Sequence, residues 1–229
     1  VTTPAVPATE ARFTAFWLYS RRRAAAFWDA PPAGAQDEYV AALAAAAPAV
    51  ELRAAYNTAG LSPEVDLILW VVAKDAADLH DLAVTLDRTA LGRAMEVRRV
   101  YMGTASNSQY DPTHGPAFLQ GLAPKRYLSV YPFIKTPDWY LLPYEERRDL
   151  MIDHGRMGRE YPSVLTNTVN SFGIADQEFI VALEDDDPAV LVKMVQRLRA
   201  AEVRKYTSVD TPIYLGLRKE PADAIASLF

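Results

Sequence analysis

Three histidines, twelve tyrosines and no cysteine bound the chemistry open to this chain of 229 residues. Without cysteine there is no disulfide, thiolate zinc site, iron–sulfur cluster, cysteine nucleophile or covalent c-type haem link. His154 is the most informative of the three. It falls in a helical pattern over residues 143–159 in which Leu150, Met151, His154, Met157 and Gly158 share one face. Glu145, Glu146, Arg148, Asp149 and Asp153 take the other face. A histidine in an apolar stripe is most often a core residue with a hydrogen-bonded ring. The alternative is a metal or haem ligand, since an inward imidazole in a dry pocket is what axial ligation requires. His114, in Asp111-Pro-Thr-His-Gly-Pro116, reads on its own as an exposed loop histidine, and His80, beside Asp78 and Asp81, carries no role. Tyr131 opens the run Tyr131-Pro-Phe-Ile-Lys135 near a strand end, with Tyr127 on the same face and Trp139 and Tyr140 just beyond. Composition alone gives it no more than a core tyrosine's part. Serine-hydrolase elbows, paired-histidine zinc motifs and phosphate-binding Gly-Lys loops are all absent from the sequence.

These residues must be positioned by a fold, and the order of periodic segments supplies one. Residues 1–10 read as a loose tail with Pro4 and Pro7. Strand patterns at 13–19, 50–56, 66–73 and 95–102 alternate with helical patterns at 37–47 and 75–89. The order β-α-β-β-α-β then returns as 126–134, 143–159, 164–172, 178–184, 188–199 and 201–207. Asn57-Thr-Ala-Gly60 precedes the third strand of the first set, and Asn170-Ser-Phe-Gly173 precedes its counterpart. Arg93-Ala-Met-Glu-Val-Arg-Arg99 returns as Arg199-Ala-Ala-Glu-Val-Arg-Lys205. The expectation is an α+β protein made of two ferredoxin-like βαββαβ halves, a duplicated fold of the dimeric α+β barrel type. The halves are residues 11–103 and 126–229, joined by a long polar connection at 104–125 that holds His114. A sheet covered by helices on one side only can bury its open face on a second such sheet, with a ligand between them.

Composition removes other classes. Lys and Arg number 24 against 29 Asp and Glu, so the chain is net acidic and a poor partner for nucleic acid. Half of the residues are hydrophobic, enough for a core, yet no apolar run approaches the ~20 residues of a membrane helix. The first ten residues lack a basic and apolar leader pattern. A soluble, cytoplasmic protein without a membrane span is the expectation.

The stretch Tyr131-Pro-Phe-Ile-Lys135, Trp139-Tyr-Leu-Leu-Pro143, Glu145-Glu-Arg-Arg148 and His154-Gly-Arg-Met-Gly-Arg159 resembles the coproheme decarboxylases of the chlorite dismutase superfamily, in their actinobacterial branch. The resemblance runs in element order from Arg12 to Arg218 and is most specific in the second half. It implies the duplicated ferredoxin-like barrel, commonly as a homopentamer. It implies hydrogen-peroxide-dependent oxidative decarboxylation of two propionates of iron-coproporphyrin III (coproheme), giving haem b in the last step of a haem biosynthesis route. Coproheme is then both substrate and non-covalent cofactor, and a transient contact with a coproporphyrin ferrochelatase follows from its origin.

Carried over position by position, the resemblance makes His154 the proximal iron ligand and Tyr131 the redox-active tyrosine. His114 becomes a distal base, taking a proton from peroxide and returning it to the leaving oxygen. Lys135 and Arg204 become the cations near the propionates, with Trp139 and Met151 as further cofactor-binding residues. Chlorite dismutases of the superfamily place a distal arginine about a dozen residues after the proximal histidine. Here Thr166 stands at that place and 164–172 holds neither Arg nor Lys, which argues against chlorite decomposition. Two rivals stay open: a related peroxidase or chlorite-dismutase-like enzyme, and a non-catalytic haem carrier. An oxidisable tyrosine favours catalysis, because a carrier needs none.

Overall fold

The computed structural model describes residues 12–110 and 115–229. The tail and His114 lie outside them. Packing divides the chain into two units, one of Arg12–Met102 with Tyr214–Phe229 and the other of Gly103–Ile213.

The first unit contains β1 (Arg12–Arg21), α1 (Ala35–Ala45), β2 (Val50–Asn57), β3 (Leu67–Ala73), α2 (Ala76–Arg88), the short α3 (Ala90–Ala94) and β4 (Met95–Ala105). Its strands are ordered β4-β1-β3-β2, the ferredoxin-like arrangement, with β9 (Tyr214–Lys219) added beside β2 and followed by α7 (Pro221–Ala226). Antiparallel register sets Ala15 opposite Val71, Trp17 opposite Leu69 and Tyr19 opposite Leu67, so these six share one face. That face is fully packed under Tyr39 and Leu43 of α1, Leu79, Leu82 and Leu86 of α2, and Ile225 of α7. β3 is buried along its whole length, which explains why it reads as an unbroken apolar run rather than an alternating one.

The second unit repeats the plan. It contains β5 (Tyr127–Lys135), α4 (Pro137–Leu141), α5 (Tyr144–Gly158), β6 (Leu165–Asn170), β7 (Phe179–Asp185), α6 (Pro188–Arg199) and β8 (Thr207–Val209). Its order is β8-β5-β7-β6, the same arrangement, with the end of β4 beside β6 through Thr104 and Asn170. The duplication extends to local chemistry. Gly60 and Gly173 both adopt left-handed backbone, φ 74° and 71°, at the matching turn. Asp75 and Asp187 cap the matching helices, each accepting from the backbone N–H two residues on at 2.9 Å.

Three stretches differ from the sequence expectation. Residues 201–207 were expected as a strand; Glu202–Tyr206 forms a 3₁₀ turn instead, and only Thr207–Val209 is extended. Ala201 and Val203 are buried against Trp139 and Met157, and that packing overrides the strand preference of the heptad. The connection after Met102 begins as the end of β4 and holds a 3₁₀ turn at Ala117–Gln120. Finally, α4, β9 and α7 are too short or too irregular to show a period.

Gly103 marks where the chain passes from one unit's sheet to the other's. A Cβ there would overlap the Asn170 carbonyl oxygen and crowd Val169. Gly103→Ala is therefore expected to destabilise the protein by about 1–3 kcal/mol, the usual cost of overpacking. Urea unfolding checks this, and an unchanged midpoint would show that the strand shifts freely.

Candidate functional site

The side chains singled out by the sequence, apart from His114, gather in the second unit. Register places Tyr131 opposite Val181, Ser129 opposite Leu183 and Phe133 opposite Phe179. Thr168 pairs with Val181 and Thr166 with Leu183 on the next strand, so all of these share a face. The reverse face, with Leu128, Val130, Ile180 and Ala182, is completely buried. The Tyr131 face is not. Ser129, Tyr131, Phe133, Val181 and Thr166 are half-buried and Thr168 is exposed. Only Leu183 among the opposed residues is buried there. In the first unit the packed Trp17–Leu69 face is filled. Here the side chains of the Tyr131 face keep part of their surface uncovered.

α5 carries His154. Its first turn holds Glu145 and Glu146 and its last Arg156, charges that suit the helix dipole. Ion pairs tie its outer side, Arg148 to Glu145 at 2.9 Å and Arg156 to Asp153 at 2.8 Å. Just past its end Glu160 receives a two-pronged contact from Arg197 of α6, both distances 2.8 Å, which fixes the helix end. The inner side is the apolar stripe: Met157 is buried, and Leu150 and Met151 pack against the cluster of Trp139, Ala201 and Val203.

His154 is half-buried on this side, and its Nδ1 is a buried atom without a hydrogen-bond partner. Burial, reinforced by the nearby Lys135 charge and weakly opposed by Asp153, lowers its pKa to about 4. The ring is therefore neutral near pH 7, as a metal ligand must be. A satisfied core histidine would have both nitrogens accounted for, so the orphaned nitrogen favours the ligand reading. The donor set fits one axial bond to a porphyrin iron better than a cage, since no cluster of three or more His, Asp or Glu capable of holding a metal ion occurs among the described residues.

Lys135 ends β5 and is buried. Its Nζ lies 4.3 Å above the Trp139 ring, and Trp139 is 2% exposed. Burial lowers the Lys135 pKa to about 8; Glu178 pulls it up and Arg204 pushes it down. Glu178 is a residue that sequence reasoning missed. Its Oε2 accepts from the Lys135 backbone N–H at 2.7 Å and from Tyr140 Oη at 2.6 Å. Its only signal in the sequence was its place at the start of a strand.

Arg204 stands on the 3₁₀ turn, its Nη1 3.3 Å from Asp210 Oδ2. Arg199, at the end of α6, pairs with the same carboxylate. Both arginines act on Tyr131, lowering its pKa, while Asp210 raises it; burial outweighs them all and pushes the phenol up to about 12. Arg204 thus links Tyr131 to Lys135, and Lys135 links to His154. Three cations, Lys135, Arg199 and Arg204, meet two carboxylates, Glu178 and Asp210, leaving an excess positive charge to face an anion. The sequence also gives no sign of a role for Arg199 and Asp210, because the group on which they act, Tyr131, lies 68 and 79 positions away. All of these residues belong to one unit.

The family model described as chlorite dismutase matches residues 33–219. The coproheme decarboxylase of Mycolicibacterium smegmatis is 36% identical over 180 residues, covering 78% of each chain. That of Staphylococcus carnosus is 30% identical over 165 residues, covering 65% of this chain and 66% of the relative. A crystal structure of a mutant chlorite dismutase from Candidatus Nitrospira defluvii superposes with a TM-score of 0.86 over 97% of both chains at 19% identity, a likeness of fold. The match over most of the chain, the duplicated ferredoxin-like units and the 36% identical relative together place this chain in the chlorite dismutase family.

Proposed function

We propose that this protein binds iron-coproporphyrin III and uses hydrogen peroxide to convert two of its propionates to vinyl groups, giving haem b. The observation that carries this reading is the neutral His154 imidazole with an unpartnered Nδ1, in the same unit as a half-covered sheet face bearing Tyr131. The two relatives named coproheme decarboxylase support the choice of substrate.

When bound, the iron porphyrin supplies the means of using peroxide as a two-electron oxidant. The chain's own residues do the rest. His154, neutral near pH 7, would hold the iron through its imidazole lone pair. Lys135, Arg199 and Arg204 offset the carboxylates of a ligand that carries four of them. Trp139 and Met151, packed in one apolar cluster, would line the porphyrin. Tyr131 is kept protonated by burial, so it can give up a hydrogen atom and then take one from the β-carbon of a propionate. The balance for each propionate is one peroxide consumed, one carbon dioxide and two waters released, and one C=C bond formed. His114 is assigned the distal base, though it lies outside the described residues. β6 reads Leu-Thr-Asn-Thr-Val-Asn and presents Thr166 and Thr168, not a cation, beside the Tyr131 face, which favours decarboxylation over chlorite chemistry. No helix among the described residues is long and apolar enough to cross a membrane. Assembly as a homopentamer, a cytoplasmic location and contact with a ferrochelatase complete the proposal.

Titration with coproheme followed by peroxide, read as loss of two carboxyl groups by mass spectrometry, tests the reaction. Binding without release of carbon dioxide would leave a haem carrier. Tyr131→Phe keeps the ring but not the O–H; it is expected to bind coproheme and make no haem b. Decarboxylation at the wild-type rate would remove the hydrogen-transfer role. His114→Ala is expected to slow the reaction with peroxide about 10²–10⁴-fold, the range for a positioned general base, with coproheme affinity little changed. Stopped-flow mixing decides, and equal rates would return His114 to an ordinary loop residue.

His154 also makes a pH prediction for the ligand-free protein. Its folded pKa of about 4 lies below the ordinary 6.5. Between those values the unfolded chain binds a proton that the folded protein does not. Stability contributed by the neutral ring is thus complete above about pH 6.5 and lost as pH falls towards 4. The loss attributable to His154 is on the order of 2–3 kcal/mol, and it is absent in His154→Ala. Urea unfolding of both proteins across this window measures it; identical pH dependence would show that His154 is not desolvated.

A further inference from the structure

We propose that Tyr140, hydrogen-bonded to Glu178, is a second oxidisable tyrosine, at which a small phenolic reductant gives up electrons to a peroxide-treated site. The proposal rests on the haem reading above. Tyr140 sits on α4 next to Trp139, and 37% of it is exposed. Its Oη donates to Glu178 Oε2 at 2.6 Å. The same oxygen accepts from the Lys135 backbone at 2.7 Å, which holds the carboxylate in place.

A phenol that loses an electron becomes a strong acid. A carboxylate already at hydrogen-bond distance can take its proton at once. Tyr144, also exposed, lacks this provision in its contact with Gln109, because it donates to a carbonyl oxygen at 3.0 Å and a carbonyl does not hold the proton. Trp139 is a poor resting place for a positive hole, because the Lys135 ammonium stands 4.3 Å above its ring. Tyr131 is half-buried and has no carboxylate among the described residues bonded to its hydroxyl in the way Tyr140 has, and its proposed use is on the propionate. Tyr140 is thus the site that joins a base to solvent access.

A reductant has somewhere to rest. The Tyr140 ring meets Phe172 edge-on at 6.0 Å, and Phe172 meets Phe179 at 4.9 Å. Phe172 and Ile174 are 50% and 44% exposed. Such an aromatic shelf suits a flat phenol. The reaction balances as one peroxide and two phenols giving two waters and two phenoxyl radicals. In each one-electron step Tyr140 loses an electron, its proton passes to Glu178, and the phenol's hydrogen atom restores the tyrosine. The Glu178 proton then goes into water. Such a route drains oxidising equivalents when no reactive propionate remains.

The test loads the protein with haem b, confirms binding by visible absorption, and adds hydrogen peroxide with a nitroso spin trap. Peptide mass spectrometry then maps the adduct. The expected result is an adduct on Tyr140 that disappears in Tyr140→Phe, together with a fall in guaiacol oxidation to the rate of free haem. Glu178→Gln keeps an acceptor oxygen but no base, and is expected to lose most of the adduct while still binding haem. Bound haem with adducts on Tyr131, Trp139 or Tyr144 and none on Tyr140 would overturn the proposal. An unchanged adduct yield in Glu178→Gln would overturn the role of the carboxylate. Failure to bind haem at all would overturn the haem reading itself and this one with it, and the absorption spectrum separates that case from the others.

Discussion

A buried ammonium group acting on a half-buried imidazole governs the site. Lys135 has lost most of its hydration, and burial has brought its pKa down to about 8, so it still carries its charge near neutrality. That charge acts on His154, already desolvated, and makes a second positive charge there costly. The histidine therefore keeps a free lone pair near neutral pH. Glu178 makes this arrangement tolerable, because it supplies opposite charge to Lys135 while anchoring the Lys135 backbone. Trp139 adds the attraction of its ring face, about 0.5–2 kcal/mol for such a contact. A buried cation without these partners would neutralise or drive the chain to rearrange.

The rest of the second unit can be understood as support for that pair. One face of its sheet is as dry as any core, with Leu128, Val130, Ile180 and Ala182 at 0% exposure. This gives the strands their rigidity. The other face is left half-covered, and the residues there are Ser129, Tyr131, Thr166 and Thr168 instead of the tryptophan and leucines that fill the first unit. Stability and function are divided between the two faces. Side chains on rigid strands are held more precisely than side chains on loops, which is what the hydrogen transfer proposed for Tyr131 would demand.

Much of this was legible in the sequence. Periodicity gave the element order, because long amphipathic helices such as α2 and α6 and apolar strands such as β3 carry a strong signal. The repeated Asn-x-x-Gly turns and the Arg-Ala-x-Glu-Val-Arg-Arg/Lys segments, residues 93–99 and 199–205, carry the duplication. His154 could be placed on the inner side of α5 from spacing alone. Its neutrality could not, because that depends first on how far the folded chain buries the ring and then on Lys135, nineteen positions away on another element. Glu178, Arg199 and Asp210 stayed hidden for the same reason: each acts by a contact across the fold, and nothing in a carboxylate's or guanidinium's own neighbourhood in sequence announces it. The short elements α4, β9 and α7 hold fewer turns or alternations than a period requires.

The heptad itself shows how a duplicated fold acquires a site in one copy only. In the first unit Met95 opens a strand, Val97 is 45% exposed, and Arg98 pairs with Glu96 at 3.2 Å. In the second unit the same pattern winds into a 3₁₀ turn, Val203 is 4% exposed, and Arg204 turns to Asp210. The residues are nearly the same, so local preference cannot account for the difference. What differs is the partner: Val203 finds Trp139 and Met157 to pack on, and burying a valine outweighs the few hydrogen bonds that a strand edge would gain. The turn then brings Arg204 to where its charge reaches both Tyr131 and Lys135. An apolar contact on one side of the turn thereby sets the electrostatics on the other.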